Sequence, residues 1–370
     1  MQRSGSAAPG FHDTHGDLRE LVSRPGPFVS VWANAPDDPT PRGIASRSRD
    51  LRDTVDEWLG EGAANAIVES VETAFPDAPA LVLVADESGV ILEERLEEPL
   101  PKEVVASGRL PSISPVIAHR QAAIPFLVVI LDRRGADLYW SGGDAQGSET
   151  IAGDETFIRK VQAGGWSQSV YQQRAENTWE ETARDTAQEV QRVATDVAAR
   201  VILLAADVRM AQLLRKHLPA DVEALLRDVP GSRSEDGSHD ERETEIRRWI
   251  RTAVAEDTVA VLELYDQELG QHDRAVTGPE KTFEALRESR VDTLLINDDP
   301  DDDRHAFFDA EEPGLGALDR GVFRELGRSP EGPARLTDVA IRACLLTGAA
   351  VRIVPKLPKL DGGIGAILRW

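Results

Sequence analysis

Pro125-Phe126-Leu127-Val128-Val129-Ile130-Leu131 runs through Arg133-Arg134-Gly135 into Ala136-Asp137-Leu138-Tyr139-Trp140. The first run is apolar at odd and even positions alike. Both faces of the strand it forms are therefore covered, which places it mid-sheet. The Arg-Arg-Gly turn and the second run complete a hairpin. A glycine-rich stretch follows, and then a helix expected over Ser169 to Ala199. Its apolar positions Ala175, Trp179, Ala183, Ala187, Val190, Ala194 and Val197 stand mostly three or four apart, in one stripe. At 1.5 Å per residue such a helix is about 45 Å long, long enough to carry a loop far from its domain's centre. Val201 to Ala205 is a second buried strand, and Val208 to His217 a helix. Hairpin, long helix and buried strand make a mixed α/β domain, expected over residues 121–237.

Upstream, residues 1–120 read as an α/β domain. A short helix is expected over Asp17 to Val22 and a strand over Phe28 to Trp32. Helices centre on Leu51, Val55, Trp58 and Leu59, then on Ala66, Ile67, Val71 and Phe75, with Gly60 and Gly62 as the turn between them. Ala80 to Val84 and Val90 to Ile91-Leu92 form a hairpin, and Pro99 to Pro115 is a connector with one edge strand. Downstream, Gly231 to Asp240 has no apolar residue and reads as a linker. A helix through Ile246, Trp249, Ile250 and Val254 leads into a third α/β domain, expected over 238–370. There a helix at Phe283 to Arg287 precedes a strand at Asp292 to Ile296, and a helix at Val339 to Leu346 precedes strands at 350–354 and 364–368. The fold class is α/β in three domains.

The chain has 370 residues, 41% of them hydrophobic, so each domain can bury a core. The formal charge of −23 argues against non-specific coating of DNA, whose phosphates demand many cations. It leaves room for docking on folded RNA through a local patch. The single cysteine, Cys344, lies in an apolar stretch and reads as a small core residue; it excludes internal disulfides and cysteine-cluster zinc sites. No stretch approaches the ~18 apolar residues of a membrane span, and Met1 to Gly10 has no hydrophobic signal segment. A cytoplasmic protein with no membrane partner is expected.

Catalytic signatures are few. Gly278-Pro279-Glu280-Lys281-Thr282 lacks the glycine before the lysine of a phosphate-binding loop and reads as a helix start, with Pro279 in the first turn. His12 and His15 near the N-terminus lack a rigid frame for a metal. Asp298, Asp299, Asp301, Asp302 and Asp303 crowd one stretch. Without the glycine and terminal glutamate of a calcium loop, it reads as a solvated surface loop rather than an ion site. No cofactor or metal is expected.

Ala163-Gly164-Gly165-Trp166-Ser167-Gln168-Ser169 is different in kind. Two adjacent glycines admit backbone angles closed to other residues and let another backbone approach. By themselves they make an ordinary turn before a helix. Trp166 and Tyr171, with Arg159, Lys160 and Arg174 around them in an acidic chain, supply the aromatics and local cations that RNA recognition uses. The candidate RNA-binding loop is thus Gly164, Gly165, Trp166, Ser167, Gln168 and Tyr171 with Arg159, Lys160 and Arg174; no catalytic residue is assigned.

The order of these elements resembles the archaeo-eukaryotic peptide-chain release factor and Pelota superfamily, including its bacterial branch. Residues 124–140, the Gly-Gly loop and the long helix resemble the family's middle domain. The third region resembles its L7Ae-like C-terminal domain. The most specific piece is Gly362-Gly363-Ile364-Gly365-Ala366-Ile367-Leu368-Arg369-Trp370, close to the family's Gly-Ile-x-x-Ile-Leu-Arg-aromatic signature. In release factors the middle-domain loop reads Gly-Gly-Gln, and the glutamine helps place a water at the peptidyl-tRNA ester. Gly164, Gly165 and Ser167 match that loop, whereas Trp166 stands where the glutamine would be. Indole has one donor and no acceptor and does not orient water as an amide does. Gln168 stands two residues later. Neither codon-reading motif is found, near Gly60 to Asn65 or near Pro115 to Gln121.

Architecture without either chemistry resembles Pelota and, more closely, the actinobacterial Balon-type hibernation factors. The resemblance implies a partner in the 70S ribosome, with ribosomal RNA contacts at the A site, and association with elongation factor Tu. Two other readings stay open: a peptidyl-tRNA hydrolase or nuclease acting on stalled ribosomes, in which Ser167 or Gln168 matters, and a recycled scaffold for another protein or RNA.

Overall fold

The computed structural model describes residues 16–38, 40–142, 145–152, 166–233, 239–271 and 273–370, with the backbone alone for 145, 152, 166–177 and 239. The chain is a mixed α/β protein. It divides into two compact units, one made of the residues up to Gln121 together with Ala260–Trp370, the other of Ala122–Val259.

In the first unit the N-terminal part runs α1 (Gly16–Ser23), β1 (Phe28–Asn34), α2 (Pro41–Leu59), α3 (Glu61–Ala74), β2 (Ala80–Asp86), β3 (Gly89–Leu96), β4 (Val104–Gly108) and α4 (Ser114–Ala122). The strands form one sheet in the order β3-β2-β1-β4, antiparallel between neighbours, with β4 at the expected edge. Its side chains alternate. Val29, Val31, Leu81 and Leu83 face α2 and α3, whereas Phe28, Trp32, Val82 and Val84 face the opposite way. Gly60, at φ 85°, alone separates α2 from α3, and Gly62 lies inside α3 instead of in the turn. A single residue in the left-handed region suffices to break the helix there. The helix α4 occupies part of the expected connector, and Pro115 falls in its first turn, where its missing N–H costs nothing.

The second unit carries β5 (Phe126–Asp132), β6 (Gly135–Gly142), β7 (Ala145–Ala152), α5 (Trp166–Asp196), β8 (Val201–Ala206), α6 (Val208–His217), α7 (Ala220–Glu223), β9 (Leu226–Asp228) and the first part of α8 (His239–Gln271). Its sheet is ordered β7-β6-β5-β8-β9, antiparallel from β7 to β5 and parallel from β5 to β9. β5 is the central strand, as its two apolar faces require. Leu127, Val129 and Leu131 face α5 and α6; Val128, with the partly buried Phe126 and Ile130, faces Ile246, Trp249, Ile250 and Val254 of α8. β7, Ala-Gln-Gly-Ser-Glu-Thr-Ile-Ala, was not expected as a strand. It is polar because it is an edge, held by backbone pairing to β6. Of the expected linker, residues 234–238 lie outside the described residues.

The C-terminal part of the first unit adds β10 (Ala275–Thr277), α9 (Pro279–Arg287), β11 (Val291–Ile296), β12 (His305–Phe308), β13 (Gly316–Ala317), α10 (Arg320–Glu325), β14 (Glu331–Arg335), α11 (Leu336–Leu346), β15 (Ala350–Ile353) and β16 (Ile364–Leu368). Its main sheet is β10-β16-β11-β15, and β12, β13 and β14 form a separate small sheet that periodicity did not reveal. The main sheet is covered on both faces. Leu294, Ile296, Ile364 and Ala366 meet α9 and α11; Leu295 and Ile367 meet Tyr265 and its neighbours on α8. Pro279 opens α9 as expected. Cys344 is fully buried, and burial pushes its thiol well above the usual range.

The N- and C-terminal parts share one hydrophobic cluster, from Phe28 and Trp32 to Val339 and Leu345. A polar clasp crosses the same junction. Ser112 Oγ donates to Asp338 Oδ2 at 2.5 Å, Trp32 Nε1 donates to the Ser112 carbonyl at 3.0 Å, and Ser114 donates to Asp298. Arg335 Nη2 donates to Asp298 Oδ1 at 2.5 Å and to the Asp299 carbonyl at 2.7 Å. The acidic stretch is therefore not a solvated loop throughout. Asp298 is 8% exposed and clamped by Arg335, Asp301 pairs with Lys102, and Asp302 pairs with Arg304. Arg335 and Lys102, remote in sequence from Asp298 and Asp301, account for most of the difference.

Candidate functional site

The long helix α5 begins at Trp166, three residues before the expected start at Ser169. Trp166, Ser167 and Gln168, expected on a loop, thus form its first turn, where backbone N–H groups need no intrahelical partner. By register, positions 167, 171 and 174 fall on one face of the helix. Gly164, Gly165, Arg159 and Lys160 lie outside the described residues, as do His12 and His15.

Further along α5 the helix is anchored. Ala183, Ala187, Val190 and Val193 are buried against β5, β6 and α6. Trp179 marks where this anchoring begins. The stripe assigns it to the core, yet it is only partly buried, with the Arg133 guanidinium 4.4 Å and the Arg209 guanidinium 5.2 Å from its ring centroid. Stacking on indole satisfies the guanidinium faces.

The topology explains this convergence. β5 and β8 run parallel, with Leu131 opposite Ala206, so their carboxyl ends lie side by side. The turn Arg133-Arg134-Gly135 leaves the first and Asp207-Val208-Arg209 leaves the second. Carboxyl ends of parallel strands are the usual ligand side of open α/β sheets. Asp132 accepts from the Arg134 backbone N–H at 2.8 Å and shapes the turn. Asp207 caps α6, accepting from Arg209 N at 2.9 Å and Met210 N at 3.0 Å, while Arg133 Nε stands 3.6 Å from it. Beyond β9, Arg233 donates to Asp137 at 2.8 Å, and that bond raises its guanidinium above the usual range. On the neighbouring turn of α5, the hydrogen bond from Lys216 at 2.6 Å holds the Glu180 carboxyl below its ordinary value. These groups are arginines stacked on an indole, capping carboxylates and ion pairs. No nucleophile-and-base pair stands among these described side chains.

Arg133, Trp179 and Arg209 were missed as site residues from the sequence. Arg133-Arg134-Gly135 was legible as a turn and Trp179 as a helix position, but the contact between them depends on the parallel pairing of β5 with β8.

Residues 125–271 match the model of bacterial archaeo-eukaryotic release factor family 2. This release-factor-like segment takes in β5 through α8, and so the Arg133–Trp179–Arg209 stack. No curated protein is significantly similar to the chain. Among solved structures, the archaeal translation termination factor aRF1 is 15% identical, with 97% of each chain covered and a TM-score of 0.26. Archaeal Pelota, in a model of ribosome-bound Pelota and ABCE1, is 14% identical, covering 97% of this chain and 94% of that one, with a TM-score of 0.41. Dom34 of S. cerevisiae, a translation termination-like factor involved in RNA quality control and interacting with Hbs1, is 10% identical over 79% of this chain and 73% of its own, with a TM-score of 0.35. Superpositions this loose transfer no residue roles. Among the described residues no helix is long and apolar enough to cross a membrane.

Proposed function

We propose that the chain is a release-factor-type translation factor of three domains that binds the ribosome without releasing peptide, occupying the A site as a hibernation factor. The observation that carries this reading is the release-factor-like segment with Trp166 at the position where Gly-Gly is followed by glutamine in release factors. The indole at Trp166 offers no acceptor to hold a water. The first turn of α5 would lie against ribosomal RNA near the peptidyl-transferase centre, with Arg133 toward a phosphate further back. A translational GTPase, elongation factor Tu in a bacterial cell, would escort it; the Hbs1 partner of Dom34 is the analogous case.

Co-sedimentation with vacant 70S ribosomes, with and without elongation factor Tu, tests the reading. Binding that weakens steeply with salt is expected. Absence from the ribosome pellet under both conditions removes it. Peptidyl-tRNA release assays separate it from the hydrolase alternative: no release is expected from the native chain, and release abolished by Gln168→Ala would establish the alternative instead.

A further inference from the structure

A small cavity opens in the first unit where the end of α1, the residues after β4, β12, β14 and α11 converge. Arg24, Arg109 and Arg342 line it together with Ser23, Phe308 and Glu331. Its volume of about 110 Å³ corresponds to roughly three or four waters at about 30 Å³ each. That is room for one tetrahedral oxyanion.

Arg342 is the unusual member. It is 5% exposed, and its guanidinium donates only to neutral carbonyls, those of Ala310 at 3.2 Å and Pro313 at 3.5 Å, while lying over the Phe308 ring at 5.1 Å. Among the described residues no carboxylate reaches it within salt-bridge distance. The nearest in charge, Asp309, is taken by Arg328 at 3.1 Å and by the backbone N–H groups of Glu311 and Glu312 at 2.8 and 2.9 Å. A buried cation without a counter-ion is costly, and burial accordingly holds this guanidinium below the usual arginine range. Arg24 and Arg109 stand at the mouth. Each gives one nitrogen to a carboxylate, Glu20 at 2.8 Å and Glu331 at 2.5 Å, and the second of these pairs neutralises the carboxylate on the lining.

We propose that this cavity is an oxyanion site, taking free phosphate or the phosphate of a monoester, with Arg342 as its buried counter-charge and Arg24 and Arg109 closing on the ligand from the mouth. Arg24 and Arg109 belong to the N-terminal part and Arg342 to the C-terminal part, so the bound anion ties the two together. The site stands independently of the translational reading, since it uses no residue of the release-factor-like segment.

Calorimetric titration of the full chain with inorganic phosphate, and separately with phosphoserine, against chloride at equal ionic strength, tests it. Saturable binding of at least one is expected, and which one binds identifies the source. Arg342→Met should weaken binding about tenfold or more, the loss expected for charge-assisted hydrogen bonds. Because Arg342 is buried, the mouth variants Arg24→Gln and Arg109→Gln, which leave the core intact, are measured beside it, and each should weaken binding severalfold. No saturable binding of either ligand, or equal affinity in the native chain and both mouth variants, overturns the proposal.

Discussion

Asp338→Asn should make the first unit less sensitive to alkaline pH. Asp338 is buried at the junction of the N- and C-terminal parts. It accepts from Ser112 Oγ through Oδ2, while Oδ1 finds no hydrogen bond and lies 4.0 Å from Arg335 Nη1. Burial dominates, and the carboxyl is pushed up to about 7 from 3.8 despite the pull of Arg335 and Ser112. A raised folded-state value means full stability only below about 3.8, where the carboxyl is protonated folded and unfolded alike. Stability then falls as pH rises, until the folded-state carboxyl ionises near pH 7. At about 1.36 kcal/mol per pH unit, the whole effect is capped near 4 kcal/mol, and about 2–3 kcal/mol of it develops between roughly pH 5 and pH 8. The amide is the same shape, its oxygen still accepts from Ser112, and it never ionises. The gap in stability between variant and native chain should therefore widen in the variant's favour by about 2–3 kcal/mol over that range. Amide hydrogen exchange of α11, corrected for intrinsic rates, reads the local opening free energy at each pH. A gap that stays constant from about pH 5 to 8, or that narrows, refutes the assignment of a protonated carboxyl to this junction.

Gly365→Ala should destabilise the C-terminal sheet by roughly 1–3 kcal/mol through overpacking. A Cβ there would stand 2.6 Å from Tyr265 Oη and 2.8 Å from the Val276 carbonyl; denaturant midpoints measure the loss, and adding Tyr265→Phe should recover part of it. Arg133→Gln should lower the slope of log affinity for ribosomes against log salt by about one if this guanidinium meets a phosphate, while thermal stability stays near native; an unchanged slope removes Arg133 from the interface. Arg120 donates to Asp17 at 2.7 and 2.8 Å and also grips Glu94. Its hydrogen bonds hold the Asp17 carboxyl below the ordinary value, so this pair stabilises α1 above the usual carboxylate range and releases it as pH falls through the lowered value. Exchange of α1 amides should accelerate on acidification in the native chain and already be fast at neutral pH in Arg120→Met.

Strands with a strong one-dimensional signature are legible in the sequence itself. β5, apolar from Phe126 to Leu131, could only be central, and the two-face pattern of β1 and β2 is as plain. The polar edge β7 and the short strands β12, β13 and β14 are not legible there, because their stability comes from a neighbour's backbone and not from their own side chains. The glycine-tryptophan motif stands out as sequence, and the long helix behind it is placed to within three residues. The arginine stack on that helix is not. Trp179 belongs to a helical stripe by spacing, and only the pairing of β5 with β8 brings Arg133 and Arg209 over it.

Local pattern and chemical identity thus determined the α/β class, the helices with clear stripes, the buried place of Cys344 and the lack of an acceptor on the Trp166 indole. These depend on periods of two and 3.6 residues and on what each side chain can donate or accept. Tertiary structure alone decided which charges are solvated and which are clamped. Asp298 and Asp301 are free by sequence and are held by Arg335 and Lys102 from other elements. Arg342 is one arginine among many until burial leaves it without a carboxylate partner among the described residues. Electrostatic environment is a property of distances across the fold, and sequence separation does not record them.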